Sequence, residues 1–162
     1  MINQNFSETR EFLFLPHNIE DNDCFCILDS DDEYLPTFIE EMLAFMNEHN
    51  LDIVACGSDF LSVTDNNKLT GQRLLPQNLI LQDNSFADYF TTYHQFMRTT
   101  WGKLFKGQTL HETVPDASSP GFPKGYGGDT YNTMRAFSSA ERVGILAKPL
   151  HKYYVSAKSS AL

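Results

Sequence analysis

The sequence predicts an α/β domain in which helices flank a mixed sheet, and three observations support this class. Apolar runs at Phe25–Leu28 and Leu51–Leu61 are typical of buried strands. Between them, apolar residues recur at helical spacing from position 38 to position 46. The 162 residues, 41% of them hydrophobic and 13% aromatic, suffice for one domain with a core and are unlike a disordered chain.

The first elements follow one another closely. The strand at Phe25–Leu28 leads into the acidic cluster Asp29-Ser30-Asp31-Asp32. Pro36 suits the first turn of the helix that follows. The apolar face of that helix comprises Phe38, Ile39, Met42, Leu43, Phe45 and Met46. The strand at Leu51–Leu61 comes next, and Asp65-Asn66-Asn67 marks a turn.

The rest of the chain carries weaker patterns. They predict a helix at Asp83–Tyr93, a short helix at Trp101–Phe105, an irregular loop at Val114–Gly128, a helix at Asp129–Phe137, and two short strands at Arg142–Leu146 and Leu150–Val155. We expect residues 1–162 to form one partial domain, with 1–23 as an irregular or helical lead-in and 24–162 as its body.

Charge and composition exclude several classes of function. The net charge of −9 and the pI near 4.8 argue against a nucleic-acid partner, because such binding depends on Lys/Arg patches. The three cysteines do not form a disulfide framework. No apolar run is long enough to span a membrane, and no signal sequence is recognised. The expected location is cytoplasmic, with a peripheral position at the inner face of the membrane as an option.

The acidic cluster is the most informative feature of the chain. A strand that ends in Asp29, Asp31 and Asp32 puts three carboxylates where open α/β sheets bind ligands. Clustered carboxylates repel one another unless a cation joins them, and hard oxygen ligands select Mg²⁺ or Mn²⁺. A divalent ion held in this way can bind a diphosphate.

Several segments occur in an order that resembles the family 2 glycosyltransferases of the GT-A fold. They are Ile27-Leu28-Asp29-Ser30-Asp31-Asp32 followed by Tyr34 and Pro36, Asp52-Ile53-Val54, Trp101-Gly102-Lys103-Leu104-Phe105, Gly128-Asp129-Thr130, and Pro149-Leu150-His151-Lys152-Tyr153. The first is similar to the family's metal-binding DxD motif. The match covers about Phe25 to Ser160.

The sequence also departs from the family pattern. The family's opening "I-I-P-x-Y-N" strand, with the two strand–helix steps that hold the base, has no counterpart here. Gly128 stands where the family has Glu, and His151 where it has Tyr. The resemblance therefore implies a truncated GT-A domain without the N-terminal nucleotide-binding portion. A homodimer, or a partner chain that supplies the missing half, is a possible consequence.

The resemblance implies an inverting transfer of a sugar from a nucleotide-sugar donor to a glycan or lipid-linked acceptor, with Mg²⁺ or Mn²⁺ as cofactor. In this scheme Asp31 contacts the metal, Asp29 contacts the ribose or a metal-bound water, and Asp32 is a weaker candidate ligand. Asp129 is the candidate general base, although an Asp at this position is also an ordinary helix N-cap. The acids after Asp31 can equally be solvated groups near a helix N-terminus.

Three further residues have open roles. His151 is a candidate third metal ligand or phosphate contact, or a strand histidine packed beside Tyr153. Lys158 is a candidate diphosphate contact or a solvated terminal lysine. Lys103 either faces the acceptor cleft or lies on the surface, whereas Trp101 and Phe105 are expected in the core.

Two alternatives compete with the transferase. The "DxD" segment also resembles the start of haloacid dehalogenase-like phosphatases, with Asp29 as nucleophile and Asp31 as general acid. Asp32 and Glu33, however, replace the Gly and Thr of that motif. The other alternative is a catalytically degenerate transferase remnant that acts as a binding or dimerisation module through an exposed sheet edge.

Overall fold

The structure is a computed structural model that describes residues 20–82, 86–111 and 128–156. Its strands are β1 (Cys24–Phe25), β2 (Glu33–Tyr34), β3 (Ile53–Ser62), β4 (Lys68–Arg73), β5 (Leu79–Gln82), β6 (Lys103–Lys106) and β7 (Arg142–Val155). Its helices are α1 (Phe38–His49), α2 (Phe86–Met97), α3 (Gly107–His111) and α4 (Gly128–Ser139), with a 3-10 turn at Val63–Asp65.

The described strands form one mixed sheet in the order β1-β6-β3-β7-β2. β3 and β7 run parallel at its centre, and the other strand pairs are antiparallel. β4 pairs with the second half of β3, and β5 with the first half of β7. The predicted α/β class with a mixed sheet is confirmed.

Helices cover both faces of the sheet. On one face α1 contributes Phe38, Met42, Phe45 and Met46 to a buried cluster with Val54 and Leu104. On the other face α2 and α4 contribute Met97, Ala136 and Phe137 to a cluster with Ile53 and Phe105. Adjacent residues of one strand thus enter opposite clusters, as the alternation of side chains along a strand requires.

The helix predicted at positions 38–46 is confirmed as α1. Its apolar residues at i, i+4 and i+7 are buried, while Glu40 and Glu48 are exposed. Asn50 ends the helix in the left-handed conformation (φ 49°, ψ 54°), and its N–H bonds to the carbonyls of Asn47 and Met46.

The helix predicted at Trp101–Phe105 is wrong, because this segment contains strand β6. Its backbone pairs with β3 on one side and with β1 on the other. Leu104 and Phe105 are buried in opposite faces of the sheet, which a strand achieves and a single helical turn does not. A helix of five residues is also too short to be stable without tertiary packing.

The other strand predictions need smaller corrections. In the Phe25–Leu28 run, ladder pairing is confined to Cys24–Phe25 at the sheet edge, and Leu28 is 46% exposed. Ile27 forms a single parallel bridge with Trp101. The two short strands predicted at 142–146 and 150–155 are parts of one continuous strand, β7.

An irregularity at Gly57 sets the register of the β3–β7 pair. Pairing passes from Cys56 opposite Leu146 to Gly57 opposite Pro149, and then to Ser58 opposite His151. A Cβ at Gly57 would lie 2.9 Å from the carbonyl oxygens of both Arg73 and Lys148, so only glycine allows this close backbone approach. The extra residues of β7 bring His151 opposite Ser58.

Candidate active site

A row of four side chains crosses the sheet where the irregular register ends. Ser58 of β3 pairs with Arg73 of β4 on one side and with His151 of β7 on the other, and His151 pairs with Tyr34 of β2. Directly paired residues of neighbouring strands put their side chains on the same face. Residues far apart in sequence are thereby assembled into one polar line.

Hydrogen bonds run along this row. Arg73 Nη2 donates to Ser58 Oγ at 2.9 Å, and Ser58 Oγ lies 3.1 Å from His151 Nδ1. Because Ser58 already accepts from Arg73, the complementary assignment has its hydroxyl donate to Nδ1 of a neutral imidazole. The second ring nitrogen, Nε2, then carries the proton and faces Asp32 Oδ2 at 3.2 Å.

The Asp32–His151 pair is buried but incompletely satisfied. Both side chains are essentially inaccessible, and Asp32 Oδ1 accepts the Tyr154 N–H at 3.1 Å. Within the described residues neither Asp32 Oδ2 nor His151 Nε2 has a partner in good hydrogen-bond geometry, despite their close approach. Two buried ligand-type atoms with spare capacity are unusual, since such groups are normally paired.

Burial holds His151 neutral. Desolvation is the main cause that lowers the pKa of its imidazole, and the Asp32 carboxylate opposes this shift. The ring stacks on Trp101 at a centroid distance of 4.6 Å and meets Tyr34 edge-on at 5.4 Å. His151 is thus a packed strand histidine that also presents one nitrogen to the acidic cluster.

Three other carboxylates act on that of Asp29, and one of them is Asp32 of this pair. Desolvation, followed by the charges of Asp32, Asp129 and Asp31, raises the pKa of Asp29 to about 6. Asp129 comes from the first turn of α4, whereas the other three lie in the loop between β1 and β2. The structure therefore brings the predicted base and the "DxD" acids into one electrostatic cluster.

The segment 98–101 connects the polar row to α4. On the side of the polar row, Arg73 Nη1 donates to the Gln95 carbonyl at 2.5 Å and to Thr99 Oγ1 at 3.2 Å. On the side of α4, the Thr130 hydroxyl donates to the Arg98 carbonyl at 3.2 Å. The Trp101 ring lies against the Arg73 guanidinium, 4.3 Å from its carbon, and is 7% exposed. The prediction that Trp101 and Phe105 belong to the core is confirmed.

The backbone at Gly102 lies close to two residues of the polar row, Tyr34 and Arg73. Gly102 has φ +67°, and its N–H donates to the Tyr34 hydroxyl at 2.9 Å. The same hydroxyl donates to the Ile27 carbonyl, which ties the segment after β1 to the residue before β6. A Cβ at Gly102 would lie 2.9 Å from Arg73 Nη2, so both the conformation and the contact favour glycine.

Some functional candidates escaped the sequence analysis, and one lies outside the described residues. Ser58 and Arg73 carry no motif, and their placement follows from strand register alone. Lys103, whose position the sequence left open, is fully buried. Lys158 lies outside the described residues. Asp31, like Asp129, is an exposed member of the carboxylate cluster.

The donor set suits a hard divalent cation. Carboxylate oxygens with one imidazole nitrogen are ligands that Mn²⁺ and Mg²⁺ accept, and the spare capacity of Asp32 Oδ2 fits such an ion. His151 Nε2 would join it in the other tautomer, in which the ring proton moves to Nδ1 and is donated to Ser58 Oγ. The side chains are not arranged around a common point, since the described residues contain no group of three or more His, Cys, Asp or Glu in metal-holding geometry. The residues therefore fit a cation by their chemistry, and ligation needs side-chain movement.

Comparisons with known proteins give a consistent result. The family model described as Glycosyl transferase family 2 matches residues 20–108, more than half of the chain. No curated protein sequence matches this chain.

Solved structures from S. aureus resemble the fold. The crystal structure of TarS 1–349 in complex with UDP-GlcNAc has a TM-score of 0.60 at 18% identity, over 86% of this chain and 37% of that chain. The complex of TarS 1–349 with UDP has a TM-score of 0.59 at 17% identity, over 82% and 36% of the two chains. This chain thus spans about a third of the length of the structures it resembles. In the ranges described here, the helices are too short or too polar to cross a bilayer.

Proposed function

Because the chain belongs to glycosyl transferase family 2, we propose that it binds a nucleotide-sugar donor at the 29–32 loop and contributes to sugar transfer there. The observation that carries this proposal is the convergence of Asp29, Asp31, Asp32 and Asp129 beside a buried histidine. Such a concentration of negative charge is unfavourable alone and becomes favourable with a cation. The family match also favours a transferase over the phosphatase alternative.

Asp31, Asp32 and His151 would hold a Mg²⁺ or Mn²⁺ ion, with Asp29 at the donor beside it. Such an ion would neutralise the charge that a nucleoside diphosphate gains as it leaves. The row from Arg73 through Ser58 would orient the His151 ring, and the Tyr154 N–H would hold Asp32 Oδ1, which leaves Asp32 Oδ2 and His151 Nε2 to adjust to the ion. Lys158 is retained in this proposal as a donor contact.

Asp129 would act as the general base that takes the proton from the acceptor hydroxyl. It lies in the first turn of α4 and is exposed to solvent, so an acceptor can reach it. Desolvation by nearby protein atoms raises the pKa of its carboxyl, and the charge of Lys103 lowers it. A base placed opposite the leaving diphosphate is the arrangement for an inverting displacement.

The donor is proposed to be a UDP-sugar, and the acceptor a glycan or a lipid-linked glycan. The complexes of TarS with UDP and UDP-GlcNAc support UDP as the first nucleotide to test. The sugar and the acceptor are left open by the residues of the described site.

Calorimetric titration with UDP tests the proposal. We expect binding that requires Mn²⁺ and that weakens at least tenfold in Asp31→Ala, because a lost charge-assisted contact costs about 1.5–3 kcal/mol. Asp65→Ala is the matched control, since Asp65 is an exposed acid in the 3-10 turn after β3. Equal affinities of wild type and Asp31→Ala would refute the metal-assisted donor site.

The second candidate is a donor-binding module without turnover. Gly128, which precedes Asp129, has no side chain where the family carries a carboxylate, and this favours a loss of catalysis. Release of UDP from UDP-GlcNAc in the presence of Mn²⁺ separates the two candidates. Binding without release indicates the module, and release that Asp129→Asn abolishes indicates the transferase.

A further inference from the structure

Lys103 is a fully buried cation whose charge the proposed mechanism does not yet use. Its ammonium donates to the Thr99 carbonyl, to Thr99 Oγ1 at 3.0 Å and to the Trp101 carbonyl at 3.4 Å. All three acceptors are neutral. Burying an ammonium without a bonded carboxylate is costly, and replacement by an apolar side chain is often neutral or stabilising. A structural role alone does not account for a lysine at this position.

A second buried cation lies next to it. Arg73 also bonds to Thr99, and the two charges repel, which adds to the desolvation that lowers the pKa of Lys103. The three acceptors around Lys103 Nζ nevertheless match the three donors of an ammonium, so Lys103 and Arg73 together place positive charge at Thr99.

Segment 98–101 also bonds to the first turn of α4. Asp129 is hydrogen-bonded to Thr100, and Thr130 bonds to the Arg98 carbonyl. Lys103 thus anchors Thr99 and Trp101, the two neighbours of the residue that holds Asp129. Its charge and that of Asp129 also act directly on each other.

We propose that Lys103 is a positioning residue for Asp129: it fixes segment 99–101, in which Thr100 bonds to the carboxylate, and contributes a positive charge that acts on it. This inference rests on the role proposed above for Asp129 as the base. A base that faces the negative Asp29 loop needs a compensating cation to remain ready to accept a proton. The stability cost of burying Lys103 would then be retained for function.

The charged groups around Asp129 and Lys103 determine the direction in which the midpoint of Asp129 should move. Asp129 acts on Asp29 across the cluster and is hydrogen-bonded to Thr100. The charges of Arg73, the Cys56 thiol and Asp129 act on Lys103, and Lys103 in turn acts on His151. Desolvation disfavours ionisation of Asp129, and Lys103 favours it, so removing Lys103 has a defined direction.

The test is an NMR titration of the Asp129 carboxyl carbon in the protein without donor. In Lys103→Gln, which removes the charge but keeps a donor group, we expect the Asp129 midpoint to rise by about one pH unit. Lys103→Arg restores the wild-type midpoint if charge is the cause. Lys106→Met is the matched control, because Lys106 lies on the same strand and pairs with Asp52 instead. An unmoved midpoint in folded Lys103→Gln overturns the proposal.

The reverse titration keeps the proposal testable if Lys103→Gln does not fold. Asp129→Asn changes a surface residue, and it should lower the midpoint of the Lys103 ammonium by a similar amount, because pairwise coupling is reciprocal. An unchanged Lys103 midpoint contradicts the inference. Neither titration uses UDP or metal, so failure of the donor-binding experiment and failure of this one are separate results.

Discussion

Two buried carboxylates of the same sheet differ sharply in how they are satisfied. Asp52, just before β3, uses Oδ2 to accept the N–H groups of Glu141 and Arg142, both at 2.9 Å. Its Oδ1 accepts from Gln108 Nε2 at 3.0 Å and lies 3.6 Å from Lys106 Nζ. Asp52 thereby ties the start of β7 to the end of β6, and each oxygen is fully used.

The Asp32 side chain is also buried, but only one of its oxygens is fully hydrogen-bonded. Oδ1 accepts one backbone N–H, whereas Oδ2 faces His151 Nε2 without a good hydrogen bond in the described part of the chain. Asp52 therefore stabilises the sheet through all of its oxygens, whereas Asp32 keeps one oxygen that the proposed metal ion could use.

The largest expected effect comes from matched Asp→Asn substitutions at these two positions. Asp52→Asn places an amide N–H₂ opposite donors whichever way it turns, so the free energy of unfolding should fall by about 2 kcal/mol. Asp32→Asn should cost less than about 1 kcal/mol, because fewer bonds depend on it. Urea unfolding measures both, and equal losses would contradict the distinction.

A second pair of variants probes the backbone below the site. Gly102→Ala forces a side chain into positive φ and against Arg73, so we expect a loss of about 1–2 kcal/mol. Gly71→Ala is its control, because the nearest atom to a Cβ there is 3.9 Å away and no positive φ is present. Thermal unfolding should show a clear decrease for the first variant alone.

The smallest expected effect is a pH dependence caused by Asp29, because solvent screens the charges around this partly exposed carboxyl. Its pKa is raised from 3.8 to about 6 in the folded protein, so the folded state binds the proton more tightly than the unfolded state does. This contribution to stability is complete below pH 4 and is lost as the pH rises through 6. Asp29→Asn should remove it, and Mn²⁺ should offset the loss at pH 7 in the wild type.

Melting temperatures of the wild type and Asp29→Asn, recorded from pH 4 to pH 7, check this prediction. The difference between the two proteins should change steadily across that range. Parallel curves would show that the pKa of Asp29 is not raised in the folded protein.

Local patterns predicted part of this fold. The period of Phe38, Met42 and Phe45 fixed α1, and the apolar run at 51–61 fixed β3, because each pattern reports burial of a regular element. The run from Trp101 to Phe105 has no such period, and its strand pairing is long-range. The local pattern therefore predicted a helix where the chain forms a strand.

The candidate site was only half visible for the same reason. The "DxD" acids and Asp129 appear in short motifs. Arg73 and Ser58 join His151 through the register shift at Gly57, which depends on residues about 90 positions apart. The burial of Lys103 likewise follows from sheet pairing on both sides of β6.

Anomalous X-ray scattering from crystals soaked in MnCl₂ and UDP tests the central claim most directly. The account predicts a manganese peak within about 2.5 Å of a carboxylate oxygen of Asp31 or Asp32, with the diphosphate of UDP on its other side. It also predicts that His151 Nε2 turns toward the ion. A fully occupied UDP with no manganese beside these carboxylates would contradict the account.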